Sequence, residues 1–543
     1  MDKKFPILAL LLIAVGAVVG GLVGRLPAKT SAEGAVTVES VAKDYSEALE
    51  LIDKNYGGAV DHEKITDTSM QAMLWSLDPH SAFFDREQLR KMDEEQASQF
   101  YGIGVSILQH HNGVYVQSVV RGTPADKGGI RYGDRILTVE GKDATEWTSA
   151  EVSKNVRGPR GTQVKITVER ATSPQPIEFE LVRGGVPLPS VRNSFMLPNG
   201  VGYVGFTGGF QQTSADEVAV AIADLKKQGM KNLILDMRGN PGGILEQAVE
   251  IVSDFVPAGQ TVVSVKSSRS DKVRELKTVG GAVESFPVVM LINGGSASAS
   301  EIVAGALQDY SRGLVVGTDS FGKGLVQRVF RLPFGTGLTL TTARYYTPYG
   351  RSLQRDYSSG SIYDYYSHSD GDENKDAAPK PAGQPVTLPT GRVLYGGRGI
   401  EPDVIAEPAA PSPLRSRINE AAFLFARQVV AGKVAGFESL KAEKQSFNQV
   451  LAPGEFAISD KLFELFKAFA ANEKVVGLTT ENVVASADYA KMRLRLEIAT
   501  AHYSSEAGIQ VLLESDPQVA KALESVPEAA KLIQNNTTFK AAK

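Results

Sequence analysis

Three kinds of hydrophobic spacing follow one another along this chain. Between residues 38 and 100 apolar positions recur every three or four residues: Val38, Val41, Tyr45, Leu49 and Ile52, then Met70, Met73, Leu74 and Leu77. That period predicts helices, broken by the turn Leu77-Asp78-Pro79-His80. From 101 to 183 short β-type runs take over, Val114-Tyr115-Val116, Ile136-Leu137-Thr138-Val139 and Val164-Lys165-Ile166-Thr167-Val168, with Gly-rich turns between them and a helix over 149–157. From 200 to 345 strands predicted at 201–206, 232–237, 288–292 and 314–316 alternate with helices at 214–228, 245–255 and 298–309. The first of these helices opens on a Ser214/Glu217 capping box and is followed by Gly229. Such alternation predicts α/β layers around an interior sheet.

Residues 356–389 are polar and low in complexity, ending in Pro379, Pro381, Pro385 and Pro389, and read as a flexible surface loop. Asp370, Asp372 and Asn374 resemble the start of a calcium loop. Lys375 stands where that loop requires glycine, and Pro381 where it requires the bidentate glutamate, which excludes the site. After Pro413 helical patterns return, at 418–430 and 461–469.

At 543 residues the chain is long enough for several domains. A net charge of −4 without a basic stripe argues against a nucleic-acid partner. The absence of cysteine removes thiol nucleophiles, thiolate zinc sites and disulfides from consideration. Near the N-terminus, Lys3 and Lys4 precede an uncharged, mostly apolar stretch from Phe5 to Gly24. About 20 apolar residues suffice to cross a bilayer as a helix, so this stretch reads as a signal anchor. Thr30-Ser31-Ala32 offers a cleavage site, which keeps a signal peptide open. Either reading puts the remainder outside the cytoplasm.

The chemistry concentrates in Asn293-Gly294-Gly295-Ser296-Ala297-Ser298-Ala299-Ser300-Glu301, between a buried strand and an amphipathic helix. A serine at such a junction projects its hydroxyl from the sheet edge, and the N–H groups of the helix start can hold an oxyanion. The same residues describe an ordinary helix cap, Ser298 with Glu301. Arg238-Gly239-Asn240-Pro241-Gly242-Gly243 follows a second buried strand, where a Gly-Gly pair exposes further N–H groups. Phe321-Gly322-Lys323-Gly324 places a lysine between glycines. No histidine lies between His111 and His368. Lysine can serve as the base instead if burial lowers its pKa from about 10.4 toward 7–8, and Gln327 is placed to orient the amine. From the residues alone Ser296 and Ser300 stay open beside Ser298.

These strings, with Leu77-Asp78-Pro79-His80-Ser81, Thr341-Thr342-Ala343-Arg344-Tyr345-Tyr346-Thr347-Pro348 and Gly396-Gly397-Arg398-Gly399-Ile400-Glu401-Pro402-Asp403, resemble the carboxyl-terminal processing peptidases, or tail-specific proteases, over residues 40–405. The resemblance implies a serine endopeptidase with a Ser–Lys pair: Ser298 as nucleophile, Lys323 as general base, Gln327 as its orienting partner, and the N–H groups of Gly243 and Ala299 as the oxyanion hole. Asp309 matches an acidic position of structural role. Tyr101-Gly102-Ile103-Gly104-Val105, followed by Gly122-Thr123-Pro124-Ala125 and Tyr132-Gly133-Asp134-Arg135-Ile136-Leu137, resembles the carboxylate-binding loop of a PDZ domain, with Gly102, Ile103 and Gly104 as peptide-binding residues.

The implied fold class is α/β multidomain: a crotonase-like or ClpP-like α/β core, a PDZ-like β-rich module and flanking helical segments. The expected division is an anchor or signal peptide over 1–30, a helical region over 38–100, a PDZ domain over 101–183, a peptidase core over 186–405 carrying the insert 356–389, and a helical extension over 413–543. Expected substrates are exported or membrane proteins captured by free C-terminal tails. The expected location is the cell envelope, periplasmic or extracytoplasmic and anchored in the inner membrane. No cofactor or metal is implied, and the reading leaves room for an adaptor protein and a homo-oligomer. Two rival readings need fewer of these features. An inactive PDZ scaffold has no use for Ser298, Lys323 and Gln327 together, and an acyl-CoA enzyme has no use for a PDZ module.

Overall fold

The computed structural model of the protein describes residues 36–267, 269–358, 365–366, 383–447, 450–472 and 477–535. The apolar stretch from Phe5 to Gly24 and the Asp370, Asp372 and Asn374 group lie outside them. No helix among the described residues is long and apolar enough to cross a membrane.

Strands that are apolar on both faces must be covered on both, and here four such strands form the centre of a six-stranded sheet. Its order is Val191–Leu197, Val201–Phe206, Asn232–Asp236, Val288–Ile292, Leu314–Gly317 and Val404–Ile405, parallel except for the first pair. Leu233 and Leu235 pack into one core with the helices Ser214–Lys227, Leu245–Ser253 and Ala299–Asp309. Ile234, Val289 and Leu291 pack into another with Val519, Ala522 and Ala529 of the helix Pro517–Asn535. That last helix therefore completes the layered core, although its sequence reads as part of a separate extension. Helical periodicity states that a face is apolar and is silent about which sheet it will cover.

A second, antiparallel sheet contains Ala82–Phe84, Gly337–Tyr346, Thr261–Ser267 and Ser270–Lys277 in that order, with Leu325–Arg331 also paired to Gly337–Tyr346. The strand Ala82–Phe84 interrupts a stretch expected to be wholly helical. Three residues are too few to display a period of two, and the pairing partner Thr339 is remote in sequence.

The chain divides into two units, 1–70 and 71–543. In the first, Thr37 caps the helix Val38–Asn55 by accepting the Ser40 N–H, and none of that helix's residues is buried, so its apolar stripe is exposed. In the second, a six-stranded sheet runs Val105–His110, Gly113–Val119, Arg135–Val139, Gln163–Glu169 and Ile177–Val182, with Lys142–Asp143 also paired to Arg135–Val139 and the helix Ser149–Val156 beside it. The chain runs into and out of this module through the antiparallel pair Gln99–Gly102 and Gly184–Pro187.

Two local expectations are corrected. The Ser214/Glu217 box does not form. The Ser214 hydroxyl accepts the Gln211 N–H at 2.7 Å, while Glu217 accepts from the Thr213 hydroxyl at 2.6 Å and from the Val191 N–H at 2.9 Å. A neighbouring strand's N–H has recruited the carboxylate that a free helix would have turned on its own cap. The segment 356–389 is also no simple surface loop where it is described. Tyr365 is only 5% exposed, Leu388 is buried, and Val386–Thr387 pairs with Val393–Leu394.

Candidate functional site

At the C-terminal edge of the parallel sheet, the loops after Asn232–Asp236 and Val288–Ile292 are stitched together by polar side chains. Asn240 donates its amide to the Phe206 carbonyl at 2.7 Å and accepts the Gly242 N–H at 3.0 Å. The Asn240 carbonyl accepts both the Ala297 N–H and the Ser300 hydroxyl at 3.0 Å. The Ser296 hydroxyl donates to the Met237 carbonyl at 2.8 Å and accepts the Asn293 N–H. Ser296 and Ser300 are therefore fully buried struts that hold two loops together.

Ser298 is different. It is half-buried and immediately precedes the helix Ala299–Asp309, with φ +56° and ψ −113°. A non-glycine residue seldom adopts that backbone, and it persists only where neighbours enforce it. Here the Glu301 carboxylate accepts the Ser298 N–H at 2.7 Å, and the Ser298 carbonyl accepts the Ile302 N–H at 3.0 Å. The glycine pair lies directly against this turn. A Cβ on Gly242 would come within 2.7 Å of Ser298 Cβ and 2.8 Å of the Ala299 nitrogen, and one on Gly243 within 2.2 Å of the Phe210 carbonyl oxygen. Only glycine fits at both places. Neither the Gly243 N–H nor the Ala299 N–H donates to a protein acceptor among the described residues. Two free donors at a helix start beside a hydroxyl form an arrangement able to hold a developing oxyanion.

Glu301 ties this loop to the lysine. Buried at 1% exposure, its carboxylate takes four donors: the Ser298 N–H, the Ser320 hydroxyl at 2.5 Å, the Gly322 N–H at 2.7 Å and the Lys323 N–H at 2.9 Å. Burial raises its pKa to about 7 against those four hydrogen bonds. Burial lowers the pKa of the Lys323 amine, opposed by the charges of Glu301 and Asp78. Among the described residues no carboxylate comes within ion-pair distance of that amine. Gln327 follows on the strand Leu325–Arg331, where its amide donates to the Thr341 hydroxyl at 3.3 Å rather than to the lysine.

The sequence left two parts of this neighbourhood, the Asp78 turn and the Asp236–Arg238 pair, without a role, and gave a third, Asp309, only a structural one. Asp78 accepts the N–H groups of His80 and Ser81 and the Ser81 hydroxyl, and Ser81 in turn accepts the Thr341 N–H at 3.2 Å. The Leu77–Ser81 turn thereby reaches the strand partner of Gln327. Asp236 and Arg238 form an ion pair of 2.6 Å, and Arg238 continues to Asp516 at 2.8 Å. Asp309 pairs at 2.7 Å with Arg351, both wholly enclosed, and accepts the Tyr349 N–H. Each string carries its charged residues in plain sight, but their partners are distant in sequence.

In the β-rich module expected to be a PDZ domain, Gly102, Ile103 and Gly104 lead into Val105–His110, the terminal strand of its sheet. A narrow groove lies between that strand and the helix Ser149–Val156, lined by Phe100, Ile103, Val105, Ile107, Val152 and Val156. A free strand edge beside an apolar groove suits an added peptide strand.

Comparison with known proteins agrees with both modules. Residues 90–169 match the PDZ domain and residues 200–365 match peptidase family S41. The carboxy-terminal-processing protease of Bartonella bacilliformis is 35% identical over 314 residues, covering 57% of this chain and 72% of that protein. The carboxy-terminal processing protease CtpA of Bacillus subtilis is 33% identical over 324 residues, covering 60% of this chain and 69% of its own. Among solved structures, a photosystem II D1 C-terminal processing protease matches at 26% identity with a TM-score of 0.34, over 68% of this chain and 93% of that one. With a serine peptidase domain and a PDZ domain in one α/β multidomain chain, and relatives of this identity and coverage, the protein belongs to the carboxy-terminal processing proteases of peptidase family S41.

Proposed function

We propose that the protein cleaves exported or membrane proteins, captured by their free C-terminal tails in the PDZ groove, through a Ser–Lys mechanism. Ser298 attacks the scissile carbonyl while the neutral amine of Lys323 takes its proton. The N–H groups of Gly243 and Ala299 receive the developing oxyanion. The Lys323 ammonium passes that proton to the leaving amine as the C–N bond breaks, and the neutral amine so regenerated activates the water that hydrolyses the acyl-enzyme and frees Ser298. In this reading the amide oxygen of Gln327, whose nitrogen is engaged by the Thr341 hydroxyl, orients the lysine side chain. The observation that carries the reading is the strained Ser298 turn, set beside two free N–H donors and bonded through Glu301 to the backbone of Lys323.

The tail-binding part rests on Gly102, Ile103 and Gly104 at the head of an unpaired strand edge. The apolar N-terminal stretch supports a place in the cell envelope on the outer side of the inner membrane, with that stretch as the anchor. The proposed division keeps the PDZ domain at 101–183 and the peptidase core at 186–405.

The test incubates the full-length protein and its Ser298→Ala variant with unfolded proteins that end in free apolar tails, and follows fragments by mass spectrometry. Cleavage by the wild type alone supports the proposal. Undiminished cleavage by Ser298→Ala refutes it.

A further inference from the structure

The Leu77–Ser81 turn and two tyrosines of the polar insert meet on the lysine loop. Tyr365 hydrogen-bonds His80 Nε2 at 2.7 Å through its hydroxyl and accepts the Gln354 amide at 3.0 Å. Gln354 Oε1 accepts the N–H of Gly324, the residue after Lys323, at 2.9 Å. Three hydrogen bonds therefore run without interruption from the imidazole to the peptide beside the lysine.

Around that chain the rings close edge to face. The His80 ring centroid lies 5.2 Å from that of Tyr365 and 6.2 Å from that of Phe321, and Phe321 lies 5.8 Å from Tyr365. The Arg355 guanidinium covers Phe321 at 4.0 Å and Tyr365 at 4.2 Å. Tyr366 donates its hydroxyl to the Pro79 carbonyl at 2.7 Å, and Phe321 donates its N–H to the Ser296 carbonyl at 2.9 Å. The aromatic wall is thus fastened to the turn, to the lysine loop and to the serine loop at once.

We propose that His80 and Tyr365 are positioning residues for Lys323, holding its loop in register and shutting water out of its surroundings. The inference rests on the reading of Lys323 as the base. With Gln354 donating to the phenol oxygen, we assign the phenol hydrogen to an unprotonated Nε2 of a neutral His80 imidazole. Burial, reinforced by the charge of Lys323, pushes the His80 pKa down to about 3, so the ring is neutral throughout the working range. The charged groups acting on this pair are Glu301 from the helix, Asp78 from the turn and Arg355 from the following loop. Tyr365 and Tyr366 of the polar segment contribute to the dryness of the site.

The test is the pH dependence of kcat for the full-length protein and its Tyr365→Phe, His80→Ala and His80→Gln variants, with thermal unfolding as a check on folding. Tyr365→Phe loses a single oxygen atom and stays usable if His80→Ala fails to fold. A wetter site raises the lysine pKa, so the rising limb should move to higher pH in Tyr365→Phe and His80→Ala by about one unit, a loss of about tenfold near pH 7. KM should stay within about threefold, because no contact to bound substrate is removed. His80→Gln, whose amide oxygen can accept the phenol hydrogen, should recover part of the shift. An unmoved limb in Tyr365→Phe and in the folded His80 variants overturns the inference, whatever the level of activity. Lys323→Arg is assayed alongside. If it is active, the base assignment itself falls; if it is inactive and the limbs are unmoved, only the positioning role falls.

Discussion

Glu301 accepts the backbone N–H of Lys323 at 2.9 Å, and the oxygen that does so is also the acceptor for the Ser298 N–H. One carboxylate oxygen therefore sets the spacing of the two loops that carry the proposed nucleophile and base. Replacing Glu301 by glutamine puts an amide N–H₂ where only donors converge. A buried donor left unsatisfied costs about 1–3 kcal/mol, so Glu301→Gln should lose roughly tenfold or more in kcat. Steady-state kinetics on a tail-bearing peptide checks this, and wild-type kcat would count against the hub. Because burial raises the Glu301 pKa to about 7, the folded state holds this proton more tightly than the unfolded chain. The stability it contributes is full below the ordinary glutamate range and is lost as pH rises through about 7. Glu301→Gln should remove that component from a plot of unfolding free energy against pH.

The three serines of the loop should separate by phenotype. Ser298→Ala should lose roughly 10³ or more in rate while its thermal unfolding stays near that of the wild type. Ser296→Ala and Ser300→Ala remove buried hydroxyls bonded to the Met237 and Asn240 carbonyls, so they should lower stability by about 1–3 kcal/mol and keep measurable turnover. An active Ser298→Ala beside a dead but folded Ser300→Ala would falsify the assignment.

Lys323 should give a pH profile that rises and levels off below lysine's ordinary value of about 10.4, since burial lowers its pKa. Arginine keeps the charge but cannot accept a proton, so Lys323→Arg should be as inactive as Lys323→Ala. Stability should move the other way. The folded state binds this proton less tightly than the unfolded chain, so the ammonium opposes folding at neutral pH and the penalty fades toward the ordinary lysine pKa. Lys323→Met should therefore unfold at a higher temperature than wild type near pH 7, with the difference narrowing at alkaline pH.

Arg351 and Asp309 should be structurally indispensable without touching substrate. Removing one partner of an enclosed ion pair strands the other charge, at a cost of about 3–5 kcal/mol. Arg351→Ala should lower the denaturation midpoint by an amount far exceeding that of an exposed pair such as Lys54 with Glu50. Equal shifts in the two cases would contradict the role given to the pair.

Recognition of tails should depend on Gly104. Its φ is +85°, and a Cβ there would come within 2.3 Å of Thr123 Cβ. Gly104→Ala should distort the loop ahead of the strand Val105–His110, weaken binding of free apolar C-terminal peptides, and erase the difference between free and amidated tails. Fluorescence anisotropy with the two peptide forms measures it, and unchanged discrimination would place recognition elsewhere.

The sequence alone carried the strands 201–206 and 288–292, the serine loop, the glycine pair and the lysine between glycines, because each depends on local chemistry. Apolar runs bounded by turn residues make buried strands, and small residues at strand ends make exposed backbone donors. From the residues alone it left Ser296 and Ser300 open beside Ser298, and only the family resemblance favoured Ser298. What the structure adds is that carbonyls on another loop occupy the hydroxyls of Ser296 and Ser300, while Ser298 stands at the helix start. The sequence was equally silent on Ala82–Phe84, on the sheet that the helix Pro517–Asn535 covers, and on Tyr365. Each owes its place to partners far along the chain: Thr339 for the strand, the outer face of the parallel sheet for the helix, and His80 for the tyrosine. Periodicity records which face of an element avoids water; only the packed structure decides what covers that face, and here that decision assembles the surroundings of Ser298 and Lys323.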